Sequence, residues 1–172
     1  DVSWFVRNVR DAQWWDRGTR GFVADLVGDD EAQVGANLFV LEPGQPMSMY
    51  HWEADQEDYL VLSGEALLIV EGEERPLREW DFFHCPAGAK HVIVGAGDGP
   101  CLVFAVGSRE NTMAVQPDGT LAAPPDWGGY PVDEAAIRHG AGVEEETTDA
   151  SVAYARFSGP ESIRYEEGWL PW

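Results

Sequence analysis

The sequence predicts an all-β fold, a sandwich or small closed barrel, for the middle of the chain. Between residues 37 and 106, seven short apolar segments follow one another at nearly regular spacing, and Gly or Pro stands at almost every break. Segments of this length and punctuation are typical of antiparallel strands joined by turns. We expect strands over residues 37–41, 47–53, 59–63, 66–70, 82–85, 91–94 and 101–106.

The length of the chain indicates one domain with additions at both ends. A chain of 172 residues is long enough for one sizeable core but too short for two ordinary domains. We predict the barrel over residues 37–108. Residues 1–36 carry Trp and Phe among charged residues without sustained periodicity, which predicts an arm with one or two short strands that packs on the barrel.

The C-terminal residues 109–172 predict an extension outside the barrel. A Pro- and Gly-rich stretch over 111–130 indicates an ordered loop or strap. Short helices are expected over 133–139 and 150–157, each with a suitable cap residue at one end. The last residues, 169–172, are too apolar to remain exposed, so we expect them to fold back on the barrel or on a second subunit.

The strongly acidic composition excludes nucleic acid as a partner. The 31 acidic and 11 basic residues give a formal net charge of −20, which repels a phosphate backbone. No apolar run reaches membrane-spanning length and the first residues lack a secretory signal, so we expect a cytoplasmic protein without a membrane partner. Cys85 and Cys101 lack the spacing of a metal or redox motif and are expected to be buried.

Two histidines and two carboxylates in this region form a candidate metal site. Because side chains alternate between the faces of a strand, His51 and Glu53 are expected to point the same way. Glu57 can approach them if its segment is their neighbour in a barrel. His91 opens a later strand, after a Pro-Ala-Gly turn. Such side chains, directed from several strands into one interior, are how a β-barrel builds a metal site.

The spacing of these residues resembles the two signature segments of the cupin superfamily. The first family segment has a Gly, a His-x-His pair, a Glu and a closing Gly, and the second has a Gly, Pro-x-Gly, a His and an Asn. The corresponding residues here are Gly44, His51-Trp52-Glu53, Glu57 and Gly64, then Trp80, Pro86-Ala87-Gly88, His91 and Gly95. The resemblance covers about residues 40 to 106 and implies a double-stranded β-helix, the jelly-roll barrel of cupins.

The main departure from the family pattern is Glu53, which stands where the family has its second histidine. The resemblance implies that His51, Glu57 and His91 bind one divalent transition metal: Mn²⁺, Fe²⁺, Zn²⁺ or Ni²⁺. Glu53 is either a fourth ligand, which its shared face with His51 favours, or a base or substrate contact beside a two-His, one-carboxylate triad. A third alternative is a hydrogen-bonded polar cluster that binds no ion.

The resemblance leaves the function open, since cupins include dioxygenases, isomerases, storage proteins and ligand-sensing modules. It implies a metal-dependent enzyme of dioxygenase or isomerase type that acts on a small organic molecule, with Glu53 or Tyr59 moving a proton. The alternative is a non-catalytic cupin that binds a small molecule and has a structural or vestigial metal site. Few further polar groups are evident on the interior strands, which favours an apolar or aromatic ligand over a sugar. A homodimer is expected, because cupins commonly dimerise.

Overall fold

The structure, a computed structural model, describes residues 4–28, 32–111, 114–115 and 121–171. Strands dominate it: β1 Gln13–Asp16, β2 Phe22–Asp25, β3 Val34–Leu41, β4 Trp52–Glu53, β5 Glu57–Ser63, β6 Glu65–Val70, β7 Glu73–Arg78, β8 Phe82–Cys85, β9 His91–Ala96, β10 Cys101–Ser108, β11 Ala114–Val115, β12 Leu121–Ala122, β13 Gly128–Gly129 and β14 Glu161–Ile163. Two short helices are α1 Glu134–Arg138 and α2 Ala150–Ala153. No helix within the described ranges is long and apolar enough to cross a membrane.

The strands form two main antiparallel sheets with a shared apolar core. The larger sheet has the order β14-β1-β2-β3-β10-β5-β8, and the smaller has the order β7-β6-β9. One core cluster takes Val61 and Val103 from the larger sheet and Leu68 and Ile93 from the smaller one. Burial of such side chains from two facing sheets is the main favourable term in the stability of a β-barrel. The predicted all-β jelly-roll barrel with short C-terminal helices is confirmed.

The two cysteines lie in this core as free thiols. Cys85 is 2% exposed and Cys101 is 1% exposed, as the sequence predicts. Burial raises the pKa of Cys85 to about 12 and that of Cys101 to about 11, so both thiols stay protonated at neutral pH. They act as small packing groups.

The N-terminal arm is part of the larger sheet. Strand β2 pairs with β3, from Phe22 opposite Val40 to Asp25 opposite Asn37, and β1 pairs with β2. On its other side β1 pairs with β14 from the C-terminal extension. Strand β3 begins at Val34, within the predicted arm, and continues into the barrel, so the arm and the barrel form one continuous set of strands. Strands from both ends of the chain, β1 and β14, meet at the same edge of this sheet.

Two parts of the barrel differ from the predicted strands. The stretch 47–53 is not a single strand, because only β4 is extended and paired there, with isolated bridges joining Pro46 to Val94 and His51 to His91. Strand β7 was not expected, because nearly all its residues are exposed and polar. It includes Pro76, which an edge strand tolerates because one row of its backbone groups has no partner.

Two turns of the signature segments adopt a left-handed backbone. Gly64 has φ of 76°, and a Cβ added there would lie 2.6 Å from the Pro100 carbonyl oxygen, so only glycine fits. Trp80 stands where the family has glycine and has φ of 73°. Its side chain is 66% exposed, so space is available, and the remaining cost is the strain of a left-handed non-glycine residue, about 1 kcal/mol.

Both predicted helices are present: α1 lies within the expected range 133–139, and α2 begins at the expected residue 150. The Asp133 side chain accepts a hydrogen bond from the Ala136 backbone N–H at 2.8 Å and caps α1. Asp149 caps α2 in the same way, with the Ser151 N–H as donor. Helix α2 ends at Ala153, four residues before the predicted end at 157.

The C-terminal tail folds back on the arm. The Trp169 ring stacks on Phe22 with 4.2 Å between ring centroids, and it also contacts the fully buried Trp14 at 5.2 Å. This apolar packing explains why an exposed-looking Trp-rich end does not stay in solvent. Trp172 and residues 112–113 and 116–120 of the predicted strap lie outside the described residues.

Candidate metal centre

A cavity of about 340 Å³ brings the predicted site residues together. Its wall includes His51, Glu53, Glu57 and Tyr59. His91 lies beside this wall, with its Nε2 2.9 Å from the Tyr59 hydroxyl oxygen. The volume is at the lower end of the range of about 300–1,000 Å³ found for small-molecule sites. The cavity is therefore suited to a small ligand.

The backbone of the two signature segments positions the histidines. His51 donates its backbone N–H to the His91 carbonyl oxygen at 3.1 Å, and His91 donates to the His51 carbonyl oxygen at 2.8 Å. Glu57, the first residue of β5, lies opposite Gly107 of β10 and Cys85 of β8. Strand pairing thus holds Glu57 and His91, and the isolated bridge to His91 holds His51 beside them.

Hydrogen bonds to backbone carbonyls set the tautomer of both histidines. His51 Nδ1 lies 2.8 Å from the Met49 carbonyl oxygen, and His91 Nδ1 lies 3.2 Å from that of Ala89. A carbonyl can only accept, so Nδ1 carries the proton in each ring. The Cys85 sulfur, 3.3 Å from His91 Nδ1, is a second acceptor for the same N–H. The Nε2 atoms of the neutral rings are left with lone pairs, and this is the arrangement in which histidine binds a metal.

Glu57 directs one carboxylate oxygen to both Nε2 atoms. Its Oε2 lies 3.6 Å from His51 Nε2 and 3.4 Å from His91 Nε2. This oxygen is buried and has no hydrogen-bond partner within the described ranges, although a buried carboxylate oxygen without a partner is costly. The three atoms form a compact group of potential donors to a cation.

The distances in this group fit a bound ion. Two ligand atoms about 2.1 Å from one ion are about 3.0 Å apart at a right angle and about 3.4 Å apart at a tetrahedral angle. Ligand atoms of His51, Glu57 and His91 lie within 4.8 Å of one another, and two of their separations are 3.4 and 3.6 Å. Small side-chain adjustments would complete the coordination. These three residues could therefore hold a metal ion.

Charge pairing stabilises the same cluster when a proton takes the place of an ion. Burial alone lowers the pKa of His51, but the neighbouring carboxylates of Glu53 and Glu57 together raise it well above its usual value. Burial alone raises the pKa of Glu57, but the two histidines bring it well below its usual range. A protonated His51 beside an ionised Glu57 is the favoured state of the ion-free cluster.

Glu53 and Tyr59 lie on two sides of this trio. Glu53 Oε1 is 3.3 Å from His51 Nε2. The group in which every ligand atom lies within 4.8 Å of the others consists of His51, Glu57 and His91 and does not include Glu53. The Tyr59 hydroxyl donates to His91 Nε2. Burial, followed by the Glu57 charge, raises the pKa of Tyr59 well above 10, so the hydroxyl keeps its proton. All five predicted site residues are thus neighbours.

His84 lies outside the cavity. Its side chain is 55% exposed, and its Nδ1 lies 2.7 Å from an Asp58 carboxylate oxygen. It pairs with a surface carboxylate and does not face the trio. The histidine therefore serves as a natural control for the three site residues.

Several cavity residues come from the two ends of the chain, where no pattern in the sequence marks them as site residues. Arg17 and Arg20 reach the cavity from the loop between β1 and β2, and Tyr130 and Tyr154 reach it from the C-terminal extension. The expectation of an apolar or aromatic ligand rested on the interior strands alone, and these additional residues bring polar groups to the cavity that it did not include. The cavity wall is rich in charged and hydroxyl groups, because the arm and the extension supply them.

Comparison with known proteins agrees with the signature segments. Residues 37–107 match the family model for the cupin domain. No curated protein matches the sequence. A sugar phosphate isomerase from a cupin superfamily, from Silicibacter pomeroyi, is 27% identical over 59% of this chain and 75% of that one, with a TM-score of 0.50.

Two further solved structures are similar to parts of the chain. A predicted oxalate decarboxylase from Thermotoga maritima is 21% identical over 60% of this chain and 98% of that one, with a TM-score of 0.54, and it shares the fold. A protein from Acidithiobacillus ferrooxidans is 27% identical over 53% of this chain, with a TM-score of 0.48. This chain covers less than two thirds of that protein, 62% of its length.

Proposed function

Because this chain belongs to the cupin superfamily through residues 37–107, we propose that it is a metal-dependent enzyme acting on a small organic molecule. His51, Glu57 and His91 hold one divalent transition metal, and the reaction is of the isomerase or dioxygenase type. The observation that carries the proposal is the buried Glu57 Oε2, which has no hydrogen-bond partner among the described residues and lies 3.6 Å from His51 Nε2 and 3.4 Å from His91 Nε2.

Glu53 is assigned to the ligand set as its fourth member. Its Oε1 is 3.3 Å from His51 Nε2, a separation similar to those within the trio, so a small side-chain movement brings it to the ion. Glu53 and Glu57 together offset the double positive charge of the ion, which favours a hard or borderline cation. If Glu53 does not bind the ion, it is placed to accept a proton from a ligand in the cavity.

The chain's own residues orient the substrate and move its protons. An ion held by the trio supplies a Lewis acid that polarises a carbonyl or hydroxyl group, and Fe²⁺ adds redox chemistry with O₂. Tyr59 retains its proton, so it acts as a hydrogen-bond donor or general acid. Once His91 Nε2 gives its lone pair to an ion, the Tyr59 hydroxyl is free to donate to a substrate oxygen.

Two observations favour the isomerase type. The similar protein from Silicibacter pomeroyi is a sugar phosphate isomerase, and its 27% identity is high among the compared structures. The cavity wall also carries Asn37, Ser48, Tyr130 and Tyr154, which offer hydrogen bonds to a hydroxylated substrate.

A second candidate function is a non-catalytic cupin that binds a small molecule without using an ion for chemistry. The raised pKa of His51 favours it, because a protonated His51 between Glu53 and Glu57 forms an ion-paired cluster that needs no metal. Such a cluster would keep the cavity open for a ligand.

The reaction type can be tested with protein freed of metal by a chelator and reloaded with Mn²⁺ or Fe²⁺. Oxygen uptake with phenolic and diketone substrates detects a dioxygenase, and NMR of aldose and ketose phosphates detects an isomerase. We expect one activity in the reloaded wild type and in His84→Gln, and none in His91→Gln. Retained metal without either activity would favour the non-catalytic candidate. A wild type that binds no ion would contradict the metal-dependent enzyme.

A further inference from the structure

Two guanidinium groups in the cavity lack a carboxylate partner. Arg17 is 8% exposed, and its terminal nitrogens donate to the backbone carbonyl oxygens of Met47, at 2.7 Å, and of Arg20. The Nε atoms of Arg17 and Arg20 are both buried and have no hydrogen-bond partner in the described part of the chain. Among the described residues, no carboxylate lies within 4.0 Å of either guanidinium, although the chain contains 31 acidic residues.

Aromatic rings hold these two arginines in place. The Arg17 guanidinium lies 5.0 Å from the centroid of the Phe39 ring, and that of Arg20 lies 4.7 Å from Tyr154 and 5.2 Å from Phe157. Stacking on an aromatic face leaves the N–H edge of a guanidinium available for an acceptor. The side chains are therefore positioned before any ligand binds, and less conformational entropy is lost on binding.

The buried positive charge is not balanced by the protein. Burial, followed by the charge of Arg20, lowers the pKa of Arg17 to about 9, so Arg17 remains charged at neutral pH. A buried cation is costly unless an anion pairs with it. In the metal-loaded site the charges of Glu53 and Glu57 offset that of a divalent ion, which leaves the two arginines uncompensated.

We propose that Arg17 and Arg20 bind the anionic group, a carboxylate or a phosphate, of a small organic substrate that also reaches the His51–Glu57–His91 trio. Guanidinium groups recognise both oxyanions through paired N–H donors. The arginines and the trio line or adjoin one cavity of about 340 Å³, so the substrate is a small molecule. This assignment of substrate class rests on the proposed function, and it gives the N-terminal arm a direct part in binding.

The proposal is tested by calorimetric titration of Mn²⁺-loaded protein with two anions and their neutral counterparts. Glycolate against ethylene glycol tests a carboxylate, and glycerol 3-phosphate against glycerol tests a phosphate. We expect at least one anion to bind at least about tenfold more tightly than its neutral counterpart, since a charge-assisted hydrogen bond contributes that much. The anion that binds identifies the acidic group.

Variants assign the binding to the two arginines. Among the described residues, the Arg20 guanidinium donates no hydrogen bond to the protein. Arg20→Gln is therefore expected to weaken anion binding by about tenfold or more without the loss of a hydrogen bond within the fold. Arg17→Lys keeps the charge at the buried position and loses the paired donors, so it is also expected to weaken binding. Arg75→Gln makes the same charge change as Arg20→Gln at a residue that is paired with Glu73 outside the cavity, and binding should not change.

The outcomes separate this proposal from the proposed function. Protein that retains its ion but binds neither anion more tightly than the neutral counterpart overturns the anion site and leaves the metal site standing. Equal anion affinity in wild type, Arg20→Gln and Arg17→Lys also overturns it. If the protein binds no metal ion, yet binds an anion with an affinity that depends on the two arginines, the result supports the anion site and contradicts the metal-dependent enzyme.

Discussion

His51 and His91 exchange two backbone hydrogen bonds, of 3.1 and 2.8 Å, and their imidazole rings lie 4.8 Å apart between centroids. This isolated bridge joins the two signature segments of the cupin domain. The backbone therefore holds both rings beside Glu57 before an ion binds. A site prepared in this way needs only small side-chain movements and the loss of a proton to bind a metal.

The two glutamates are expected to differ in their effect on metal binding. Glu57→Gln should weaken binding of Mn²⁺ by about 100-fold or more, because Glu57 faces both imidazoles and the amide lacks its charge. Glu53→Gln should weaken it by about tenfold, because Glu53 lies at the side of the trio. Calorimetric titration of chelator-treated protein measures both. Equal losses would contradict the different positions of the two side chains.

The stability of the metal-free protein is expected to fall as the pH rises above about 6.5. The folded pKa of His51 is raised well above its ordinary 6.5, so the stabilisation from its charged form is complete below 6.5 and is lost as the pH rises through the folded value. Urea unfolding between pH 6 and pH 9 measures this slope. His51→Gln should flatten it.

Metal binding should show the opposite dependence on pH. His51 must lose its proton before its Nε2 binds an ion, so affinity for Mn²⁺ is expected to rise over the range in which the metal-free protein loses stability. An affinity that does not change with pH would show that His51 is not a ligand.

Tyr59→Phe tests whether this hydroxyl acts on the substrate or supports the ligands. We expect the variant to keep its affinity for Mn²⁺ or to bind it slightly more tightly, because the hydroxyl competes with the ion for His91 Nε2. Turnover should fall by about 100-fold or more if Tyr59 is the general acid. Metal titration and an activity assay separate these effects. Loss of metal binding would instead give Tyr59 a supporting role in the ligand set.

The C-terminal tail is expected to contribute to the stability of the arm. Trp169→Ala should lower the free energy of unfolding by about 2–4 kcal/mol, because the ring stacks on Phe22 and contacts buried Trp14. Trp4→Ala is the matched control, since Trp4 is 82% exposed, and it should change stability by less than about 0.5 kcal/mol. Urea unfolding of both variants measures the difference. Equal effects would contradict the packing of the tail.

Short-range patterns explain why the barrel was predictable. Apolar segments separated by Gly and Pro show strands and turns directly, and the spacing of His51, Glu57 and His91 reflects those same strands. Strand β7 was not predicted, because an exposed edge strand lacks the alternation of apolar and polar residues that indicates a strand. The irregular backbone of 47–53 was not predicted, because the bridges that hold it, from Pro46 to Val94 and from His51 to His91, join it to a segment distant in sequence.

Long-range pairing explains why part of the cavity wall was not predictable. Arg17 and Arg20 reach it only because β2 pairs with β3, and β14 anchors the extension to β1. Two arginines in a turn of an acidic chain are an ordinary surface pattern, and only the burial of Arg17 and the position of both in the cavity wall distinguish them. The predicted domain boundaries, the homodimer and the cytoplasmic location remain predictions.

Metal stoichiometry tests the central claim most directly. Protein purified without chelator, dialysed against Mn²⁺ and analysed by plasma mass spectrometry should hold about one ion per chain in the wild type and in His84→Gln, and close to none in His91→Gln. Circular dichroism would establish that the variants are folded. A wild type without bound metal, or a folded His91→Gln with as much metal as the wild type, would contradict the site formed by His51, Glu57 and His91.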